Sequence, residues 1–206
     1  MTGSIAPSGA ALSRALTRHV QPGTPHQPRA VLEVGPGTGA VTRHLAQRLG
    51  PNDTLELVEA NRPFVDHLAA ALRHDPRLAA IAPRTRLHHG LIQDQQLGHY
   101  DHIVCGLPFA NFPPSQIEAV VRQLLASLRP GGRLSFFSYI GGRAVEHLNP
   151  RQALSRRALR EAIDLHVVGS EIVVSNVPPA YVHHLLVPAP AVCHCGALPR
   201  ASGPQT

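Results

Sequence analysis

The stretch Val31-Leu32-Glu33-Val34-Gly35-Pro36-Gly37-Thr38-Gly39-Ala40 constrains the fold more than any other part of the chain. A short apolar run leads into three glycines at alternate positions. An amphipathic segment follows, with Val41, Leu45, Ala46 and Leu49 apolar and Arg43, Gln47 and Arg48 between them. The pattern predicts a buried strand, a tight turn and a helix. Glycine is required where a backbone turns sharply or where a ligand lies against bare main chain. The helix start behind such a turn presents unpaired N–H groups. The stretch reads as a loop for a nucleotide-type cofactor.

Two cofactor patterns fit these residues. Gly35-x-Gly37-x-x-Ala40 satisfies the relaxed dinucleotide fingerprint. The same residues also read Glu33-x-Gly35-x-Gly37-x-Gly39, which resembles motif I of the class I S-adenosylmethionine (SAM) methyltransferases. That resemblance implies that the loop, with Pro36 and Thr38, admits the methionine part of SAM, and that Glu33 helps hold its ammonium end. A carboxylate here repels a pyrophosphate and suits a cofactor with positive charge and no phosphate.

Downstream, Thr54 to Glu59 reads as a second strand ending on an acid, 20 residues after Gly39. In dinucleotide and SAM folds an acid at this place accepts from the ribose hydroxyls, so Glu59, followed by Ala60, joins the cofactor site. Asn61 caps the next helix. Thr85 to Gly90 is a third strand. Leu91 follows where many relatives carry an Asp for the adenine amino group, which leaves the Ile92 backbone, Gln93 or Asp94 as substitutes. Asp101 to Cys105 is a fourth strand running into Gly106-Leu107-Pro108-Phe109-Ala110-Asn111-Phe112-Pro113. Ser115-Gln116-Ile117-Glu118 predicts a capping box, Pro130-Gly131-Gly132 a turn, and Arg133 to Ile140 a fifth strand. Asn149-Pro150 opens another helix. Glu171–Ser175 and Ala180–Val187 read as two final strands. Strand alternating with helix, closed by a strand pair, gives an α/β fold: a Rossmann-like doubly wound sheet of about seven strands with a C-terminal antiparallel hairpin.

Ahead of this lies a helical arm in which Leu12, Leu16 and Val20 share a face flanked by Arg14 and Arg18. It reads either as an ordinary packed helix or as one that lies in a membrane interface or lids the cofactor. The expected division is 1–28 for arm and linker, 29–188 for the SAM-binding domain and 189–206 for a flexible tail. The tail holds Cys193-His194-Cys195, whose spacing fits no zinc template, and no metal is expected. No run reaches the roughly 20 apolar residues of a spanning helix. Met1-Thr2-Gly3-Ser4 lacks the marks of a signal peptide, so a cytoplasmic location is expected. The formal charge is +6 and every basic residue is Arg. That balance favours an anionic partner, nucleic acid or a membrane face.

Gly3-Ser4-Ile5-Ala6-Pro7-Ser8, the glycine stretch, Gly106-Leu107-Pro108-Phe109 with Asn111-Phe112-Pro113, and Asn176-Val177-Pro178-Pro179-Ala180 occur in that order. Together they resemble the bacterial soluble phosphatidylethanolamine N-methyltransferases, relatives of the ribosomal RNA adenine dimethyltransferases. The resemblance implies attachment to the inner face of the membrane, with Ser4, Ile5, Leu12, Arg14, Leu16 and Arg18 as membrane or lid residues. It also implies stepwise methylation of a lipid head-group amine by a monomer at an anionic surface. The acceptor loop would be Cys105, Gly106, Leu107, Pro108 and Phe109, with Cys105 also at the cofactor. Gly106 stands where amino-methylating relatives have an amine-binding Asn. The Cys105 and Gly106 carbonyls would orient the amine, and Tyr139 and His102 are the candidate bases. Two other readings are a methyltransferase of RNA adenine or of a soluble amine, and a non-catalytic lipid-binding protein on the same fold. The missing Asn and an aromatic content of 4% disfavour nucleic acid.

Overall fold

The computed structural model describes residues 9–140 and 150–189. The glycine stretch folds as its pattern dictates. β1 (Ala30–Val34) is buried on both faces, and α2 (Ala40–Ala46) starts directly behind the turn. Ahead of them α1 (Ala10–Thr17) packs on the sheet. The chain continues through β2 (Thr54–Glu59), α3 (Arg62–His74), β3 (Thr85–His89), β4 (Tyr100–Cys105), α4 (Pro114–Ala126), β5 (Leu128–Tyr139), α5 (Pro150–Ile163), β6 (Val167–Val173) and β7 (Ala180–Leu186).

These strands form one seven-stranded sheet in the order β3-β2-β1-β4-β5-β7-β6. The first five run parallel, β7 is antiparallel to β5, and β6 is antiparallel to β7. The predicted architecture is therefore the observed one, down to the terminal hairpin. Because side chains alternate across a strand, the sheet separates two cores. Leu32, Val34, Ile103, Phe136 and Leu185 pack with α4 and α5. Val31, Val104, Phe137, Val182 and Ala180 pack with α1, Val41 and Leu45.

Several local expectations are corrected. Ser115 does not cap α4: the helix starts at Pro114 after Pro113, whose fixed φ suits a first turn, with no side-chain cap. Asn61 occupies the predicted N-cap of α3, but its side chain makes no capping bond. The predicted turn at Pro130–Gly132 lies inside β5, which begins at Leu128 with a register shift against β4. β6 begins four residues earlier than expected and ends at Val173. The Asn149 cap, Ser8, and Cys193-His194-Cys195 lie outside the described residues.

Candidate functional site

Strand order reverses direction between β1 and β4, since β2 and β3 lie to one side and β5 to the other. The crevice at the carboxyl ends of such strands is where open α/β sheets bind ligands. The glycine turn closes one wall of it. Gly35, Gly37 and Gly39 all have positive φ, at 69°, 56° and 77°, which no side chain adopts without strain. At Gly37 there is also room: a Cβ there would meet nothing within 4 Å. The backbone is thus bare toward open space, as a ligand cradle requires.

Two acids border this cradle. Glu59, at the end of β2, is buried and accepts from Gly37 N–H (3.0 Å) and Asn61 N–H (2.8 Å). It therefore ties the glycine turn to the second strand, and its carboxylate oxygens keep lone pairs for a further donor. Glu33 is 1% exposed, and its Oε2 has no hydrogen-bond partner. Burial pushes its pKa up to about 8, helped by the Glu59 charge and opposed by Thr42. An orphaned buried carboxyl beneath an open glycine loop is what a cationic group would satisfy. Arg43 braces the turn from behind, donating to the Thr38 carbonyl (2.8 Å) and pairing with Asp75 (2.8 Å). Its neighbour in the pair, Arg77, joins Arg43 in holding the Asp75 carboxyl well below the usual range. Pro36 is buried and Ala60 exposed at the rim. Leu91 is half exposed, beside Gly90, whose N–H donates to the Glu59 carbonyl (3.0 Å). Ile92 turns its side chain inward, and its carbonyl accepts from Gln123 (3.0 Å). Gln93 and Asp94 sit in the short 3-10 turn that follows Leu91.

The loop after β4 forms the facing wall. Gly106 N–H donates to the Val34 carbonyl (2.7 Å), and a Cβ on Gly106 would lie 2.7 Å from the Gly35 carbonyl oxygen. The tips of β1 and β4 are so close that Gly106 can carry no side chain. Leu107 fills the remaining gap, 3.0 Å from where a Gly35 Cβ would stand. Cys105 is fully buried, which pushes its thiol up to about 12, so only its backbone is available to chemistry.

Beyond this contact opens a cavity of about 240 Å³, lined by Pro108, Phe109, Ala110, Asn111, Phe137, Ser138 and Tyr139. Phe109 is mostly core, packed edge-on to Phe112 and Phe136. Tyr139 packs edge-on to Phe137 at 5.0 Å, and burial raises its phenol pKa. Tyr139 therefore enters the cavity as a neutral phenol rather than as a base. Asn111, Phe137 and Ser138 are absent from the sequence-predicted site. For Phe137 and Ser138 the sequence carries no signal, because only the pairing of β4 with β5 brings them beside Pro108, whereas Asn111 follows Pro108 in the same loop.

Two sequence expectations fail here. His102 pairs with Val31 at the opposite end of β4 from Cys105, and burial lowers its pKa to about 4. Three residues of strand separate it from the loop, roughly 10 Å, so it cannot reach an acceptor there. Leu12 and Leu16 are 0% exposed and Val20 3%, all in the core with Val31 and Phe137. The apolar stripe of α1 faces the sheet, not a membrane, while Arg14 and Arg18 stay on the outside. Ser4 and Ile5 lie outside the described residues.

Comparison with known proteins agrees with this geometry. A family model described as a methyltransferase domain matches residues 32–134. The chain belongs to the methyltransferase domain family. That match runs from β1 into β5 and so contains the glycine turn, both acids and the loop after β4. A curated relative, the ornithine lipid N-methyltransferase of Singulisphaera acidiphila, is 29% identical over 126 residues, covering 60% of this chain and 64% of that protein. The match thus spans less than two thirds of the relative's length. Among solved structures, cofactor-bound Rv0187 from MTB superposes with a TM-score of 0.70 at 20% identity, over 91% of this chain and 84% of that one. An O-methyltransferase from Bacillus cereus in complex with SAH gives 0.65 at 18% identity, over 90% and 84%. TomG, an O-methyltransferase of Streptomyces achromogenes in complex with SAM, gives 0.63 at 21% identity, over 86% and 79%. At such identities these structures speak for the fold of this methyltransferase.

Proposed function

We propose that this methyltransferase uses SAM to methylate nitrogen, and that its acceptor is the head-group amine of a lipid, phosphatidylethanolamine and its partly methylated forms. The observation that carries the reading is the aromatic cavity of Pro108 to Asn111 and Phe137 to Tyr139, next along the loop from the cofactor wall. The similarity to an N-methyltransferase of a lipid supports the same choice. In this reading Glu33 would hold the ammonium end, the backbone at Gly35 to Gly39 the methionine part, and Glu59 the ribose. Leu91 offers the base an apolar contact. SAM supplies an electrophilic methyl group on a sulfonium. The chain has to bring a neutral amine lone pair into line with that group at about 3 Å. The Cys105 and Gly106 carbonyls and the Tyr139 oxygen accept the remaining N–H groups. As positive charge develops on nitrogen, the rings of Phe109, Phe137 and Tyr139 stabilise it. The ammonium proton leaves before transfer through the open side, where Asn111 is exposed.

The test is incubation with methyl-labelled SAM and, in parallel, vesicles containing phosphatidylethanolamine, vesicles containing an ornithine lipid, RNA, small amines and phenols. Label in the head-group nitrogen of the phosphatidylethanolamine vesicles is the expected result. Label only in phenolic oxygen or in RNA refutes the acceptor assignment.

A further inference from the structure

Ten large hydrophobic side chains stand exposed among the described residues, and seven of them fall between Leu165 and Tyr181. That segment runs from just before β6, the outermost strand of the sheet, through the turn into the first residues of β7. Ile172 is 54% exposed, Val174 75% and Val177 84%. Aliphatic side chains concentrated on an edge strand mark a surface that meets something apolar.

What lies beside them narrows the partner. A groove of about 430 Å³ between α1 and β6 is lined by Arg14, Arg18 and Arg48 together with Ile172 and Val174. Glu171 is the one carboxylate in it, and Arg18 already pairs with that group at 2.7 Å. Three guanidinium groups against one carboxylate leave the groove positive. Because Leu12 and Leu16 are turned into the core, the helix side of this groove carries Arg14 and Arg18 with only the small Ala11 and Ala15 between them. The surface also has a defined place. Asn176 accepts from Gly9 N–H (3.2 Å), joining the start of α1 to the turn, and Ala180 pairs with Tyr139 at the cavity end of the sheet.

We propose that this edge is a docking surface for an anionic lipid bilayer, with Val174 and Val177 entering the interface and Arg14, Arg18 and Arg48 against lipid phosphates. Long arginine stems lie along apolar surface while their heads reach the phosphate level, so the mixture of valine and arginine suits an interface. A second copy of the chain suits it less, because a two-fold contact sets the same patch against itself and brings the two arginine sets together. Nucleic acid would satisfy the arginines but offers phosphate and sugar to the exposed valines. Docking does not depend on which amine is methylated and extends the proposed function to a separate face.

The test uses the full chain, sedimented with vesicles of phosphatidylcholine alone and of phosphatidylcholine with phosphatidylglycerol. Neither lipid carries a primary amine, so the measurement stands whether or not phosphatidylethanolamine is the acceptor. The protein should pellet with the anionic vesicles only, and salt should release it. Val174→Asp with Val177→Asp, and separately Arg14→Glu with Arg48→Glu, should each lower the bound fraction about tenfold or more. Circular dichroism and thermal melting should match the parent chain. Wild-type sedimentation by both folded variants overturns the proposal. So does a preference for RNA over anionic vesicles in competition, or a solution dimer that the valine substitutions dissociate.

Discussion

At the scale of single residues the telling pair is Glu33 and Gly37. Glu33 has a folded pKa of about 8 against an ordinary 4.5. A carboxyl raised in this way favours the fold while it is neutral, and that contribution is lost as pH rises from about 4.5 through 8. The free protein should therefore melt at lower temperature as pH climbs from about 6.5 to 8 and level off above that, and Glu33→Gln should flatten that fall. A cationic ligand reverses the preference of the carboxyl. We expect SAM affinity to rise over the same pH range in the parent chain and to lose that dependence in Glu33→Gln, read by titration calorimetry. Equal pH slopes for the two proteins would detach Glu33 from the ligand. Gly37 supplies an independent check. Gly37→Val adds a branched side chain at φ 56° in open space. It should abolish SAM binding and cost about 1–2 kcal/mol of stability from backbone strain. Retained affinity in a folded Gly37→Val protein would remove the cradle assignment.

At the scale of elements, the loops after β1 and β4 meet so closely that they act as one unit. Gly106→Asn places a Cβ 2.7 Å from the Gly35 carbonyl oxygen, so the two strand ends must separate. Restoring the asparagine of the amino-methylating relatives should thus lower the melting temperature and weaken SAM binding, rather than improve turnover. Higher turnover by that variant would contradict the contact. Leu16 in α1 is 0% exposed, and Leu16→Ala should cost about 2–5 kcal/mol, as core truncations do. A membrane-facing leucine would instead lose vesicle binding with little change in denaturant midpoint. These two cases also show what a sequence displays. The order of strands and helices, the glycine turn and Glu59 were legible because strand period, turn chemistry and an acid at a fixed spacing are local signals. The stripe of α1 was legible as a stripe, but periodicity does not say what covers it. His102 looked usable because it is near Cys105 in sequence, yet a strand carries neighbours apart along its length. Ser138 was illegible because it meets the Pro108 to Asn111 loop only across paired strands.

At the scale of the whole molecule, buried titratable groups set opposite limits on stability. His102 is held neutral by burial at a pKa of about 4. Burial also lowers His184, His183 and His19. They are locked into specific pairs: His184 with Ser135 (2.8 Å) and Glu171 (3.3 Å), His183 with Ser138 (3.0 Å) and Ser170 (2.9 Å), and His19 edge-on to His184. Arg133 and Arg18 add repulsion toward any charge on His184 or His19, which Glu171 offsets only in part. For these groups the unfolded chain binds more protons than the folded one below about pH 6.5, so their contribution is lost as pH falls below that point, for His102 down to about 4. His102 alone accounts for about 3 kcal/mol across that window. Glu33 acts in the opposite sense, gaining as pH falls from about 8 to 4.5, and offsets His102 where the two windows overlap. Above about pH 6.5 Glu33 alone gives an alkaline limb, and below it the histidines under α1 and along β7 oppose Glu33, so the slope of stability against pH changes near pH 6.5. Melting curves of the free protein across pH should trace this shape. Glu33→Gln should remove the alkaline limb and steepen the acid one between about pH 6.5 and 4.5, while His102→Gln should shallow the acid limb and leave the alkaline one. A Glu33→Gln melting temperature that stays level between about pH 7 and 5 would mean that these imidazoles are charged in the folded protein, and the neutral cluster would have to be abandoned.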